Sequence, residues 1–170
     1  VQCVMGNHDE FTIHPELMKR FPPHIKRIAR ELLAWAEKHL SAGSFDFLAN
    51  LPITREVKLE NGQKLLITHS TPGDAWSLAS FPDADYSDVT AAYAEADADI
   101  ICHGHIHGHN IRQIAGKLLV NVSSVGMEAD HLANFTVIES DPDRVIIKQH
   151  RIPYEWEAEL ALEAELGVPG

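Results

Sequence analysis

The sequence predicts a layered α/β protein with a mixed β-sheet. Helical segments alternate with short apolar strands over the first two thirds of the chain, and strands follow one another over the last third. A chain of 170 residues, 45% of them hydrophobic, is long enough for one domain with its own core. No internal repeat or linker is visible, so we expect a single domain over residues 1–170.

The first 40 residues are predicted to contain a strand, a turn and a long helix. Residues 1–5 (VQCVM) are apolar enough for a buried strand. They lead into the polar residues 6–10 (GNHDE), which we expect to form a turn with Gly6 and Asn7 at its tip. Residues 22–40 begin with proline and carry apolar residues mostly three and four positions apart, which predicts a helix with one apolar face.

A short helix and a β-hairpin are predicted next. Residues 44–52 indicate a helix that Ser44 caps and that ends before a proline. Residues 55–70 contain two strand-like stretches on either side of Asn61 and Gly62, the dipeptide best suited to a two-residue type I′ turn. We therefore expect a hairpin that contains this turn.

The rest of the chain is predicted to form strands between two helices. The alanine-rich residues 87–98 begin with Ser and Asp, as many helices do, and the apolar residues 99–102 indicate a strand. The later strands are separated by Gly and Asp-Pro, so we expect them to be sequential and mostly antiparallel. These strands and the C-terminal helix are predicted at residues 110–116, 117–124, 133–140, 144–152 and 155–166.

Charge and composition exclude several classes of protein. The formal net charge is -11 and no cluster of Lys and Arg is visible, which argues against a nucleic-acid-binding surface. The longest apolar run is far shorter than the roughly 20 residues of a membrane-spanning helix. We interpret Cys3 and Cys102 as buried thiols in a reducing cytoplasm, in preference to a disulfide or a metal site. We therefore expect a cytoplasmic protein with a local site.

Residues 101–110 (ICHGHIHGHN) contain four histidines, one at every second position. In an extended chain the outer two, His103 and His109, are about 20 Å apart and cannot bind one ion. Neighbours two positions apart are separated by about 7 Å at Cα and can each reach one ion of a metal pair. Spacing therefore favours two ligands from this run, unless turns at Gly104 and Gly108 fold it back into a three-histidine site.

Three polar clusters each follow a short apolar segment: residues 6–10, residues 68–70 (THS) and the histidine run. Sites in α/β proteins assemble from the loops at the carboxyl ends of strands. We therefore expect the three clusters to converge, although they are far apart in the sequence.

These clusters resemble motifs of the calcineurin-like metallophosphoesterases. GNHDE, the strand-end histidine of THS and GHIH (104–107) are similar to the last three signature motifs of that family, in the same order. The segments LSAGSFDFLANLP, LLITHSTPGD and KLLVNVSSVGM resemble its bacterial subgroup of small phosphodiesterases and diadenosine-tetraphosphatase-like enzymes. The resemblance covers essentially the whole chain and implies a layered α/β/β/α fold with mixed sheets.

The resemblance implies two divalent metal ions, which would be Mn, Fe, Zn or Ni. It makes Asn7, His69 and His105 ligands of one ion. His107 becomes a ligand of the other ion. Imidazole nitrogen and amide oxygen suit these metals, and a hydroxide between two such ions is an in-line nucleophile at neutral pH.

The resemblance also implies an acid for the leaving group. His8 would contact the scissile phosphate and protonate the leaving oxygen, and Asp9 would orient the His8 ring. An imidazolium with an ordinary pKa of about 6.5 can both stabilise phosphoryl charge and donate a proton. The implied reaction is hydrolysis of a small phosphomonoester or phosphodiester.

Two motifs of the family are not found ahead of Val1. Family members carry an Asp-x-His and a Gly-Asp, which supply two ligands of the first metal and the bridging aspartate. We therefore expect the chain to be the C-terminal two thirds of such an enzyme, with its N-terminal strands missing. On this expectation the intact protein is a hydrolase, whereas the hydrolytic activity of this chain alone is impaired and the chain holds one ion. We also expect the chain to form a homo-oligomer that covers the exposed edge of its sheet. The alternative is a non-catalytic metal-binding or scaffold remnant of the fold.

Smaller departures from the family pattern occur at two serines. Glycine is usual at the position of Ser70, and it commonly occupies the position of Ser123. His103 and His109 flank the implied ligands, and we interpret them as residues that hydrogen-bond nearby loops. Direct contact with the substrate is the alternative role for both histidines.

Overall fold

The computed structural model describes all 170 residues, which form two compact units. The first unit comprises Val1–Gly6 and Pro52–Tyr154, and the second comprises Asn7–Leu51 and Glu155–Gly170. The helices are α1 (Asn7–Ile13), α2 (Lys26–His39), α3 (Ala42–Ala49), α4 (Tyr86–Tyr93) and α5 (Trp156–Leu166). The strands are β1 (Thr54–Lys58), β2 (Lys64–Thr68), β3 (Ile100–His103), β4 (Asn110–Ile114), β5 (Lys117–Asn121), β6 (Leu132–Ser140) and β7 (Val145–Pro153). No helix combines the length and the apolar character needed to cross a bilayer.

The first unit is built on a five-stranded sheet with the strand order β1-β2-β3-β5-β4. The inner strands β2, β3 and β5 are parallel, and the edge strands β1 and β4 are antiparallel to their neighbours. The predicted mixed α/β fold with a mixed sheet is therefore confirmed. β6 and β7 form a separate antiparallel pair.

Apolar side chains cover both faces of this sheet. On one face, Leu66, Ile101 and Leu119 pack with Val89 and Tyr93 of α4. The other face carries a second buried cluster, against which residues of β6 and β7 pack: Leu65, Ile100, Cys102 and Val120, with Ile138, Val145 and Ile147. Because both faces of β3 are covered, its sequence is a continuous apolar run instead of an alternating one.

The turns of the two hairpins differ from the prediction. Five residues, 59–63, join β1 to β2, and Gly62 has φ 88° at the end of a β-turn in which its N–H donates to the Leu59 carbonyl at 3.0 Å. The predicted two-residue type I′ turn at Asn61-Gly62 is therefore wrong, because only Gly62 has a positive φ. A two-residue turn with positive φ at both positions joins β4 to β5, at Ala115 (φ 49°) and Gly116 (φ 79°).

Residues 1–5 do not form the predicted strand. The Met5 N–H donates to the Pro52 carbonyl at 2.8 Å, and the Arg55 Nε–H donates to the Cys3 carbonyl at 3.1 Å. These are separate hydrogen bonds and not the regular ladder that defines a strand. The apolar composition of the segment instead reflects the burial of Met5.

The second unit contains α1, α2, α3 and α5. The GNHDE segment opens α1 and does not form the predicted polar turn, because Asp9 and Glu10 favour the first turn of a helix. The predicted cap of α3 is also wrong: Ser41 is the N-cap, and its hydroxyl accepts the Ser44 N–H at 3.1 Å. The predicted long helix and C-terminal helix are present as α2 and α5.

Candidate metal centre

Polar residues stand at the carboxyl ends of the three parallel strands. His69 follows β2, His103 ends β3 and Asn121 ends β5. The registers Ile67 to Cys102 and His103 to Asn121 place these strand ends at one edge of the sheet. Sites in sheets of this kind form at that edge. The predicted convergence therefore holds for the two clusters that lie in the first unit.

The histidine run leaves β3 through a tight turn over residues 104–106, which we call the histidine turn. The Ile106 N–H donates to the Gly104 carbonyl at 2.7 Å, and His105 between them has φ 63°. A γ-turn with positive φ at its centre is rare and strained. The expectation of an extended run is therefore wrong beyond His103. Strained backbone in a packed structure is often a feature of functional sites.

The histidine turn brings His105 against His69. The Gly104 N–H donates to the His69 carbonyl at 2.9 Å, and Nδ1 of His105 lies 3.2 Å from Nε2 of His69. Two nitrogens bound to one metal ion at about 2.0–2.1 Å, at an angle of about 90–110°, are about 2.8–3.4 Å apart. The separation of these two nitrogens therefore fits two ligands of a single ion.

The structure brings two candidate metal-binding histidines together, without a third ligand side chain beside them. No group of three or more His, Cys, Asp and Glu side chains is arranged to hold a metal ion. His107 is exposed and makes no hydrogen bond or ring contact. The three-histidine site that was the alternative is therefore not formed, and His69 and His105 are the histidines that the fold brings together.

Buried hydroxyl groups support the segment that carries His69. Ser70 is fully buried, and its hydroxyl donates to the Ser77 carbonyl at 2.6 Å and lies 3.0 Å from the Ser80 hydroxyl. The Tyr93 hydroxyl donates to the Ser70 carbonyl at 3.0 Å. Burial raises the pKa of Tyr93 to about 12, so its phenol remains a donor. Serine at the position where the family usually has glycine therefore has a structural role.

His103 and His109 are in different surroundings from the candidate ligands. His103 is 2% exposed, and burial lowers its pKa to about 4, with a smaller contribution in the same direction from the Arg112 charge. Burial also lowers the pKa of His109, whose Nε2 is buried without a hydrogen-bond partner. Both rings are therefore disfavoured as cations. For His103, the hydrogen bond between Nδ1 and the Gly104 carbonyl at 3.3 Å agrees with the interpretation as a loop-supporting residue.

The predicted residues of the GNHDE motif lie in the second unit. Asn7, His8 and Asp9 form the first turn of α1. The His8 ring is exposed and meets Phe21 edge-on, with ring centroids 5.4 Å apart. The His8 carbonyl accepts the Thr12 hydroxyl at 2.8 Å. The metal and acid roles assigned to these residues remain predictions.

Asn121 is a residue of this region that the sequence did not identify. Its side chain is fully buried, the Nδ2 group donates to the Ile106 carbonyl at 2.8 Å, and Oδ1 accepts the Ser123 N–H at 2.9 Å. Ser123 has φ 67°, a conformation that favours glycine, and its hydroxyl contacts Glu128. The sequence position of Asn121 could have identified it, because it is a polar residue at the end of an apolar strand, like His69 and His103.

A groove of about 400 Å³ lies along the segment from Leu78 to Asp88. Its wall includes Phe81, whose ring meets the His105 ring edge-on with centroids 6.5 Å apart. The Arg112 guanidinium supports this segment, since it donates to the Ala79 and Ser80 carbonyls at 3.3 and 3.1 Å. The lining combines apolar and acidic side chains, namely Leu78, Ala79, Phe81, Asp83, Ala84, Asp85 and Asp88.

Comparison with known proteins gave one family match. Residues 1–143 match the calcineurin-like phosphoesterase superfamily domain. No curated protein matches the chain by sequence.

Two solved structures share the fold. The chain is similar to the hypothetical protein PH1004 from Pyrococcus horikoshii OT3, with a TM-score of 0.78 and 16% identity, over 99% of this chain and 69% of that protein. It is also similar to a metallophosphoesterase from Sphaerobacter thermophilus, with a TM-score of 0.61 and 17% identity, over 98% of this chain and 71% of that protein. At these identities the likeness describes the fold alone.

Proposed function

Because the chain belongs to the calcineurin-like phosphoesterase superfamily, we propose that it hydrolyses a small phosphomonoester or phosphodiester with a divalent metal ion held by His69 and His105. The family generally uses divalent metal ions, and membership supports a metal-dependent phosphoesterase. The observation that carries the proposal is the 3.2 Å separation of the two imidazole nitrogens, which fits two ligands of one ion.

The proposed chemistry divides between the ion and the side chains. A bound divalent ion polarises a phosphoryl oxygen and lowers the pKa of water bound to it. His69 and His105 would hold the ion, because the hydrogen bond from the Gly104 N–H to the His69 carbonyl keeps the two residues side by side. His8 is proposed to donate a proton to the leaving oxygen, with Asp9 orienting its ring.

Further assignments extend the same proposal. Asn7 is proposed as a third ligand of the ion at His69 and His105, and His107 as a ligand of a second ion. Mn, Fe, Zn and Ni all suit imidazole and amide ligands. The groove beside Phe81 supports a substrate with a small organic group, since it offers apolar walls next to His105.

A second candidate function is a non-catalytic metal-binding or scaffold domain. It is favoured by the fact that the structure assembles two histidines and no cluster of three or more ligand side chains. In this case the chain binds one ion and hydrolyses no phosphate ester. Measuring metal stoichiometry and hydrolysis on the same preparation separates the two functions.

The proposed function is tested with His69→Ala and His105→Ala. The matched control is His24→Ala, because His24 is an exposed histidine of the second unit. Mutation of a residue that only supports a metal ligand lowers metal affinity by about 10- to 100-fold. We expect each of the first two variants, which remove a ligand itself, to lower Mn²⁺ affinity by more than this. Both should also abolish Mn²⁺-dependent hydrolysis of p-nitrophenyl phosphate and bis(p-nitrophenyl) phosphate. Affinity and hydrolysis that are unchanged in either variant would contradict the proposal.

The proposed role of His8 has a separate test. His8→Ala should leave Mn²⁺ affinity unchanged, because His8 is proposed to act on the leaving group and not as a ligand. Its effect should be larger for the alkyl ester methyl phosphate than for p-nitrophenyl phosphate, because the alkoxide needs a proton and the nitrophenolate does not. Equal effects on both substrates would exclude the acid role.

A further inference from the structure

We infer that Asn121 is a positioning residue, which holds the histidine turn in its strained conformation and thereby sets the metal affinity of the His69 and His105 pair. Asn121 ends β5, and its register partner on β3 is His103, the last residue before the turn. The inference rests on the proposed function for its metal-binding consequence. The positioning itself is carried by hydrogen bonds within the first unit.

The orientation of the Asn121 amide follows from its two partners. The Ile106 carbonyl can only accept, so it must face the Nδ2 group, which lies 2.8 Å away. The Ser123 N–H can only donate, so it must face Oδ1, at 2.9 Å. One side chain therefore joins the histidine turn to the loop after β5, and its burial keeps water from replacing either bond.

The histidine turn is held from both sides. On one side, the Gly104 N–H donates to the His69 carbonyl at 2.9 Å. On the other side, the Ile106 carbonyl accepts from Asn121. His105 lies between these two bonds at φ 63°, a conformation that is costly for a residue with a side chain. Without the Asn121 bond, residue 106 is free to rotate, and His105 can relax away from His69.

The backbone around Asn121 is fixed as well. The Gln149 side chain donates to the Asn121 carbonyl at 2.8 Å, and the Val122 N–H donates to the His103 carbonyl at 2.9 Å. The Asn121 amide therefore projects from a fixed strand end toward the turn. A donor on a rigid element is what preorganisation of a metal-binding side chain requires.

The test is Asn121→Asp, which keeps an oxygen for the Ser123 N–H but places a carboxylate against the Ile106 carbonyl. The matched control is Asn134→Asp, because Asn134 is also buried and its Nδ2 group donates to a backbone carbonyl, that of Leu132, at 2.8 Å. Calorimetric titration of the metal-free chain with Mn²⁺ should give an affinity about 10- to 100-fold weaker for Asn121→Asp and unchanged for Asn134→Asp. If Asn121→Asp does not fold, Asn121→Ala provides the same comparison.

A second readout needs no metal. In the metal-free chain, imidazole ¹⁵N shifts report the contact between Nδ1 of His105 and Nε2 of His69. Asn121→Asp should change these shifts, and Asn134→Asp should not. If the wild type binds no metal but the shifts respond as stated, positioning is supported and the proposed function is wrong. If folded Asn121→Asp matches the wild type in both affinity and shifts, or if Asn134→Asp has the same effects, the inference is overturned.

Discussion

Cys102 and Cys3 are the two thiols of the chain, and they differ in burial. Cys102 lies in β3 beneath the layer of β6 and β7, and burial raises the pKa of its thiol to about 12. A thiol that stays protonated at neutral pH is a poor nucleophile and a poor metal ligand. The chemistry of the strand end is therefore left to the histidines. The prediction of a buried thiol holds for Cys102 and not for Cys3, which is only partly buried.

The raised pKa of Cys102 predicts a loss of stability in alkali. The folded state keeps the thiol protonated while the unfolded chain ionises from about pH 9 upward, so the contribution is complete below pH 9 and is lost as pH rises. We expect the free energy of unfolding in urea to fall by about 1.4 kcal/mol between pH 8 and pH 10 through this group. Cys102→Ala should remove that part of the decrease, whereas Cys3→Ala should retain it. A decrease that is identical in both variants would count against the assignment.

Single residues of the site differ in how far the sequence could predict them. The resemblance to the family identified His69 and His105, and each of them stands in a short polar motif after an apolar strand. Asn121 occupies an equivalent position but was not identified, because its relation to the histidine run depends on the register of β3 with β5. The strained turn at His105 was not predicted either, since glycine flanks it and the residue itself would be expected to avoid positive φ.

At the level of elements, the two-residue turn between β4 and β5 places an unsuitable residue, Ala115, at a positive φ. Ala115 is exposed and has φ 49°, where an alanine Cβ costs about 1–2 kcal/mol and asparagine is better tolerated. We expect Ala115→Asn to raise the free energy of unfolding by about 1 kcal/mol, since Asn-Gly is the preferred pair for this turn. Gly116→Ala should lower it, because residue 116 has φ 79°. An unchanged urea midpoint for Ala115→Asn would show that the turn relaxes in solution.

The elements that the sequence predicted correctly are those that need only local information. Apolar runs located β2, β3 and β5, and helical spacing located α2. The errors occurred where the local structure depends on pairing with residues that are distant in the sequence, or where no such pairing forms. Residues 1–5 have strand-like composition but no ladder, and the short α1 has no apolar periodicity that could distinguish it from a turn. The type I′ turn was expected at the better dipeptide, whereas strand register placed it at Ala115-Gly116.

At the scale of the whole molecule, buried apolar residues are distributed unevenly between the two units. In the second unit the buried apolar side chains are Phe11, Phe21 and Ala29, while the first unit has a core on both faces of its sheet. Amides of β3 and β5 should therefore exchange with solvent more slowly than those of α2. The predicted single domain and the predicted homo-oligomer remain predictions. Light scattering over a range of concentrations measures the oligomeric state.

Metal binding adds a prediction that connects the site to this difference in stability. A ligand that binds only the folded state stabilises it, by about 2.7 kcal/mol at 100 times its Kd. With Mn²⁺ at that excess, amides of β2 and β3 that exchange through unfolding of the first unit should gain this protection, because His69 and His105 follow those strands. His69→Ala should remove this gain, and wild-type exchange rates unaffected by saturating Mn²⁺ would contradict metal binding at this pair.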